Sequence, residues 1–149
     1  MEIRECDLPE CREAEGKIHM SGYAVKWGAQ YKSRGVVETV KKGAFSKTLA
    51  SGDEIYAYSH HNKQQILACR SNGTLQLRED DIGLKFDVYP PNTSYAKDLA
   101  INMQAGNVKG ASFGFIARKQ DRKIRSDGFQ NREIQEADLI EVTITHRPA

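Results

Sequence analysis

The chain has 149 residues, 39% hydrophobic and 28% charged, a composition that excludes a disordered segment and fits one domain, residues 1–149, able to bury a real core. Its 22 basic and 20 acidic side chains leave a net charge of +2, too small for the general basic footprint of a dedicated DNA-binding domain. No apolar run approaches the roughly 20 residues that span a bilayer, and the first twenty residues are too charged for a signal peptide, so a cytoplasmic origin is expected. Cys6, Cys11 and Cys69 are odd in number, and neither they nor the four histidines show CxxC or HxxxH spacing. Reduced thiols, no metal site and no cofactor are therefore expected.

Residues 1–16 are polar and acidic, and are expected to be poorly ordered or to add an edge strand around residues 2–6. From Lys17 to Trp27, Ile18, Met20 and Ala24 alternate with His19, Ser21, Tyr23 and Val25, the period-2 pattern of a strand. Residues 36–40 read as a second strand. A short helix over residues 43–52 places Phe45 and Leu49 on one face and stops at Gly52. Strands are predicted over 54–60, 65–69, 74–78 and 84–89, with turns at Asn72-Gly73 and at residues 80–83. After Pro90-Pro91, Asn92 or Thr93 caps a helix whose Tyr95, Leu99 and Met103 form one apolar stripe ending at Gly106. Residues 110–117 and 137–145 read as two strands joined by a polar loop, 119–132. The predicted class is β-rich α+β, a mostly antiparallel barrel or sandwich with a couple of helices.

Three features carry candidate chemistry. Ser112 is the lone hydroxyl in the apolar strand Gly110-Ala-Ser-Phe-Gly-Phe115, and glycines beside a nucleophile let a substrate backbone approach closely. A hydroxyl is a weak nucleophile without a base and an orienting group. A base is available at His60, which closes one predicted strand beside His61. A carboxylate is available in Glu136-Ala-Asp-Leu-Ile-Glu-Val-Thr-Ile-Thr145 as Asp138 or Glu141. Each feature has a plainer reading, respectively a core strand with an incidental serine, surface histidines, and solvated strand positions.

In order and spacing, these elements resemble the prohead, or capsid-maturation, serine proteases of tailed phages, relatives of the herpesvirus assemblins. The resemblance runs from Gly22 to Ala149. It rests on Gly22-Tyr-Ala24, Gly43-Ala-Phe-Ser-Lys-Thr-Leu49, His60, Gly73-Thr-Leu-Gln-Leu77, Gly83-Leu84, Asp98-Leu99, Gly110-Ala-Ser-Phe-Gly-Phe115, Asp138-Leu-Ile-Glu-Val142 and Pro148-Ala149. Where the family usually has Asp and often Pro after its histidine, this chain has His61-Asn62. The resemblance implies a herpesvirus-protease-like β-barrel flanked by helices, with Ser112 as nucleophile, His60 as general base and an acid later in the chain. It implies an endopeptidase acting on major capsid protein precursor and scaffold segments inside the procapsid, in the bacterial host cytoplasm. Self-processing, trimming of a longer chain near Ala149 and a homodimer or higher oligomer belong to the same expectation. Arg147, just past the last strand, resembles the place where assemblins keep an arginine that supports the oxyanion.

Strand parity selects among the candidate third members. If the last strand is regular, Asp138, Ile140, Val142 and Ile144 face the core, while Leu139, Glu141, Thr143 and Thr145 face outward. The same parity puts Ser112 outward with Gly110 and Gly114, and His60 on a face with Tyr56 and Tyr58. Glu141 is thus the expected acid; Asp138 would point inward, and His146, a second histidine of the kind assemblins use, would lie past the strand end. The competing class is an RNA- or protein-binding module. It would use the Phe113/Phe115 strand as a stacking surface and the basic loop 118–125 as a docking arm.

Overall fold

The computed structural model describes residues 1–6 and 9–146. The chain runs β1 (Glu2–Cys6), β2 (Glu10–Ala14), β3 (Lys17–Lys26), β4 (Tyr31–Ser33), β5 (Val36–Val40), α1 (Ser46–Ala50), β6 (Tyr56–Ser59), β7 (Asn62–Cys69), β8 (Leu75–Glu79), β9 (Gly83–Val88), α2 (Ser94–Gln104), β10 (Gly110–Ile124) and β11 (Gln130–Thr145). Thr93 caps α2 as expected, its side chain accepting from the Ala96 N–H, and the edge strand expected near residues 2–6 is β1.

Among the described residues, the strands make two hydrogen-bonded sheets and no closed ring, so the expected barrel is replaced by two sheets. One has seven strands in the order β1-β10-β11-β5-β4, with β6 pairing β11 and β7; the other has four in the order β2-β3-β9-β8. Both contribute to a single hydrophobic core, with Met20, Leu84 and Phe86 from the smaller sheet joining Phe113, Phe115, Val142 and Ile144 from the larger. The expected loop 119–132 is also corrected. β10 and β11 continue antiparallel as far as Ile124 and Gln130, forming a ribbon closed by the turn in which the Arg125 N–H donates to the Phe129 carbonyl.

On the core side of the larger sheet, charge is concentrated. The Arg4 guanidinium donates to both Glu38 oxygens at 2.7 and 3.0 Å, and Arg132 donates to Glu38 at 2.8 Å and to Glu2 at 2.6 and 2.9 Å. β1, β5 and β11 are thereby tied together across the curved sheet. The hydrogen bond from Arg132 holds the Glu2 carboxyl down at about 2 from its ordinary 4.5, against the opposing effect of burial. The stability Glu2 contributes is therefore present above about pH 4.5 and lost as pH falls through about 2.

β11 is the strand on which the site is built. It pairs β10 along its whole length, and on its other side it pairs first β5, up to Ile134↔Val40, and then β6, from Glu141↔Tyr56. Between those partners α1 takes over. Ala137 N–H donates to the Ala44 carbonyl at 2.9 Å, and the buried Thr48 hydroxyl donates to the Ala137 carbonyl and accepts from the Leu139 N–H, each at 3.1 Å. Opposite this span the register jumps from Gly114↔Glu141 to Phe115↔Leu139, so Ile140 is the extra residue of a β-bulge. Thr48→Val removes both hydroxyl bonds and strands buried backbone groups, and should cost about 1–3 kcal/mol, whereas Thr48→Ser should retain most of the stability. Urea unfolding of the two variants beside the parent protein measures the difference.

Candidate active site

His60 and His61 form the two-residue loop of the β6–β7 hairpin, between the paired Ser59 and Asn62, with φ of 53° and 57°. Two other hairpins have the same form, Glu15-Gly16 between β2 and β3 and Arg34-Gly35 between β4 and β5, again with positive φ at both residues. Such turns match the twist of the flanking strands and favour Gly because a side chain in that region is strained. Only the histidine hairpin lacks the glycine among these three, and backbone strain of this kind concentrates at functional sites. The His60 N–H donates to the Ile144 carbonyl at 2.9 Å, which pins the residue against β11. Its Nδ1 lies 3.4 Å from Thr145 Oγ1 and 3.3 Å from His146 Nδ1. Burial first, then the charges of His146 and His61, hold its pKa below the ordinary 6.5, which favours the neutral imidazole that a general base needs.

Directly opposite residues of paired strands share a face. Gly110 therefore stands with Thr145, Ser112 with Thr143 and Tyr58, and Gly114 with Glu141 and Tyr56. Ser112 and Glu141 lie on one face, as parity predicts. The face is nonetheless covered, with Ser112 only 1% and Glu141 8% exposed. A side chain at Gly114 would meet Met1 Sδ at 2.7 Å and Glu141 Cγ at 3.1 Å, so glycine there gives the Glu141 side chain its place. The three rungs are about 7 Å apart along the strands. Ser112 occupies the middle one, the His60 end the first and Glu141 the last. Tyr58 reports the Glu141 charge, its pKa being raised by burial first and then by that carboxylate.

The bulge overturns part of the parity reading. Leu139 is 2% exposed and in the core, whereas Ile140 is 37% exposed; the extra residue reverses the alternation before Glu141. Asp138 consequently does not point inward. It is half-buried and ion-paired to Arg118, whose Nη2 lies 2.6 Å and Nε 2.7 Å from its Oδ2. His146 follows directly after β11 and contributes the nearest ring to His60, centroids 5.1 Å apart. Arg147 lies outside the described residues. Cys69 is a free, partly exposed thiol and pairs with Tyr56, at the opposite end of β6 from His60.

The binding-module alternative loses its stacking surface. Phe113 and Phe115 are buried, stack on one another at 5.4 Å, and Phe113 meets Phe45 edge-on at 6.3 Å. The basic segment 118–125 is ribbon and turn rather than loop; its Arg122 lines a cavity of about 690 Å³ with Lys32 and Arg34 at the sheet edges β1 and β4, a cavity that Ile3 and Glu5 of β1 also line.

Ser112 thus stands on β10 between two glycine positions, and the histidine-bearing turn of β6–β7 lies across β11 from that strand. The model of the caudovirus prohead serine proteases matches residues 5–149, and the chain belongs to that family. Among solved structures it is similar to the bacteriophage T4 capsid assembly protease gp21, with a TM-score of 0.60 over 95% of this chain and 96% of that one, at 10% identity. No curated protein sequence matches it.

The lowered pKa of His60 has two consequences with one sign. The unfolded state binds the proton more readily, so the stability that His60 contributes is present above about pH 6.5 and lost as pH falls through the lower folded value. An NMR titration of His60 should give a midpoint below 6.5. In the same hairpin, His61→Gly relieves a left-handed side-chain residue and should raise stability by about 0.5–1 kcal/mol net of glycine's greater chain entropy, read from the denaturation midpoint.

Proposed function

We propose that the protein is a serine endopeptidase that cuts scaffold and capsid-precursor segments, its own chain included, inside the assembling procapsid. The observation that carries this reading is the middle rung, where Ser112 stands between two glycine positions on a family-matched strand with His60 at one end of the rungs and Glu141 at the other. Ser112 Oγ attacks the scissile carbonyl and its proton passes to neutral His60. The protonated imidazole then returns the proton to the leaving amine, and water hydrolyses the acyl-enzyme by the same route in reverse. Glu141 supplies the negative charge that stabilises the imidazolium, and Arg147 supports the oxyanion. The major capsid protein precursor and its scaffold segment are the proposed partners, and a homodimer or higher oligomer the proposed assembly. The host-cell procapsid is the proposed location; no helix among the described residues is long and apolar enough to cross a membrane.

For the third member, one observation favours a second reading. In a serine triad the orienting group holds Nδ1 of the base, and His60 Nδ1 is 3.3 Å from His146 Nδ1, while Glu141 stands some 13 Å away along β11 by strand rise. Under this reading His146 orients His60, and Glu141 acts through its field.

Purified protein incubated with its own capsid and scaffold precursors, with products mapped by mass spectrometry, tests the activity. Ser112→Ala and His60→Ala should each abolish cleavage, and the double variant should be little worse, because members of one catalytic unit are not additive. Strong residual cleavage by Ser112→Ala sinks the assignment. Glu141→Gln and His146→Ala separate the two readings of the third member. The one that lowers turnover by orders of magnitude with its melting temperature intact is the group that holds His60.

A further inference from the structure

Thr143 lies at the centre of the rungs. It pairs with Ser112 on one side and with Tyr58 on the other, and its strand neighbours on the same face are Glu141 and Thr145. It is 1% exposed, and its Oγ1 is the one buried side-chain polar atom among the described residues with no hydrogen-bond partner. Buried hydroxyls are nearly always bonded, and an exception in a folded protein calls for a physical reason. Buried in a sheet with both neighbouring strands in place, a threonine hydroxyl gains nothing for the fold by standing free; valine has the same shape and no group to satisfy.

We propose that Thr143 Oγ1 is a hydrogen-bond donor to the oxygen that becomes negatively charged when Ser112 attacks, and is unpaired at rest because its partner arrives with the reaction. This rests on Ser112 being the nucleophile. Directly opposed residues have Cβ atoms roughly 4.5–5.5 Å apart, which places the Thr143 hydroxyl within one atom's span of a carbonyl carbon bonded to Ser112 Oγ. Glu141 accepts hydrogen bonds and cannot supply one when ionised. Thr143 is therefore the donor of the Ser112 rung on the β11 side. A donor fixed in a water-poor site, with no existing bond to break, requires no reorganisation when charge develops, which is the condition under which such groups accelerate acyl transfer most.

The test is the reaction of the folded full chain with diisopropyl fluorophosphate. Ser112 Oγ forms a bond to phosphorus, fluoride leaves, the hydroxyl proton passes to His60, and the phosphoryl oxygen stands where the oxyanion would. Labelling at residue 112 is followed by intact mass and peptide mapping, beside the melting temperature of each variant. Thr143→Val should label about 100-fold more slowly with a melting temperature equal to or above the parent's, and Thr143→Ser should recover most of the rate. A Thr143→Val protein that labels at the parent rate overturns the proposal while leaving Ser112 as nucleophile. One that melts lower or fails to fold assigns the hydroxyl a structural role and overturns it equally. A parent protein that does not label at residue 112 removes the reading of Ser112 on which the proposal rests.

Discussion

The orientation of the candidate site depends on one extra residue in one strand. Without the bulge at Ile140, a regular β11 would bury Ile140 and turn Leu139 out beside Glu141, and the two halves of the strand would need different registers against β10. With it, Leu139 and Val142 both reach the core although they are three residues apart. The bulge interrupts the ladder with β10, and on the other side of β11, in the gap between β5 and β6, α1 supplies the bonds: the Thr48 hydroxyl accepts from the Leu139 N–H and donates to the Ala137 carbonyl, just before the bulge. A helix of five residues would be marginal alone in water; docked here it completes a sheet.

A second constraint acts at the sheet edge. β1 has a single paired neighbour, β10, yet it carries Glu2 and Arg4 into a buried arrangement with Glu38, 4% exposed, and Arg132, 7% exposed. Buried ion pairs recover their desolvation cost only when geometry is good and most donors and acceptors are used. Here both Glu38 oxygens are bonded, and Arg132 also donates through Nε to Gln120 at 2.6 Å. The arrangement specifies register more than it adds net stability, because a one-residue slip of β1 would move both its charges to the opposite face. β1 is the strand opposite Ser112, through Glu5, so that register also fixes what lies beside the proposed nucleophile.

The sequence discloses strands wherever one face is apolar and stays silent where neither is. β3, β5 and β9 are legible from alternation, and α2 from its cap and stripe. The ribbon from Arg118 to Arg132 is not, because almost every side chain between Arg118 and Ile124 is exposed and period 2 leaves no trace without a core. The β6–β7 hairpin is hidden for another reason: its loop is His60-His61, where sequence reading looks for Asn-Gly. The bulge is invisible because Leu139-Ile-Glu141 offers two apolar residues of equal claim to the core, and only the partner strand decides between them. Ser112, His60 and Glu141 are readable as residue types, and Ser112 and Glu141 as to face. Their order along the rungs is not, since it depends on the parallel pairing of β6 with β11, a non-local register that no local pattern encodes.

That pairing explains why a strained turn is a suitable place for the proposed base, His60. A histidine in mid-strand would have its ring direction dictated by pleat and neighbours, and would be as buried as Ser112. At the loop of a hairpin it is held on one side by the His60 N–H bond to Ile144 and by the paired Ser59, while its side chain stands at the rim of the covered face. Partial burial and two neighbouring histidines then hold its pKa below the ordinary 6.5, and Ser112 stands apart from it on a long paired strand. The division places conformational strain at the proposed proton acceptor and order at the proposed nucleophile. Both groups need orientation: the ring of the proposed base is held through its Nδ1 side, and the proposed attacking oxygen, whose misplacement by about 1 Å can cost about 100-fold in rate, sits on the ordered strand.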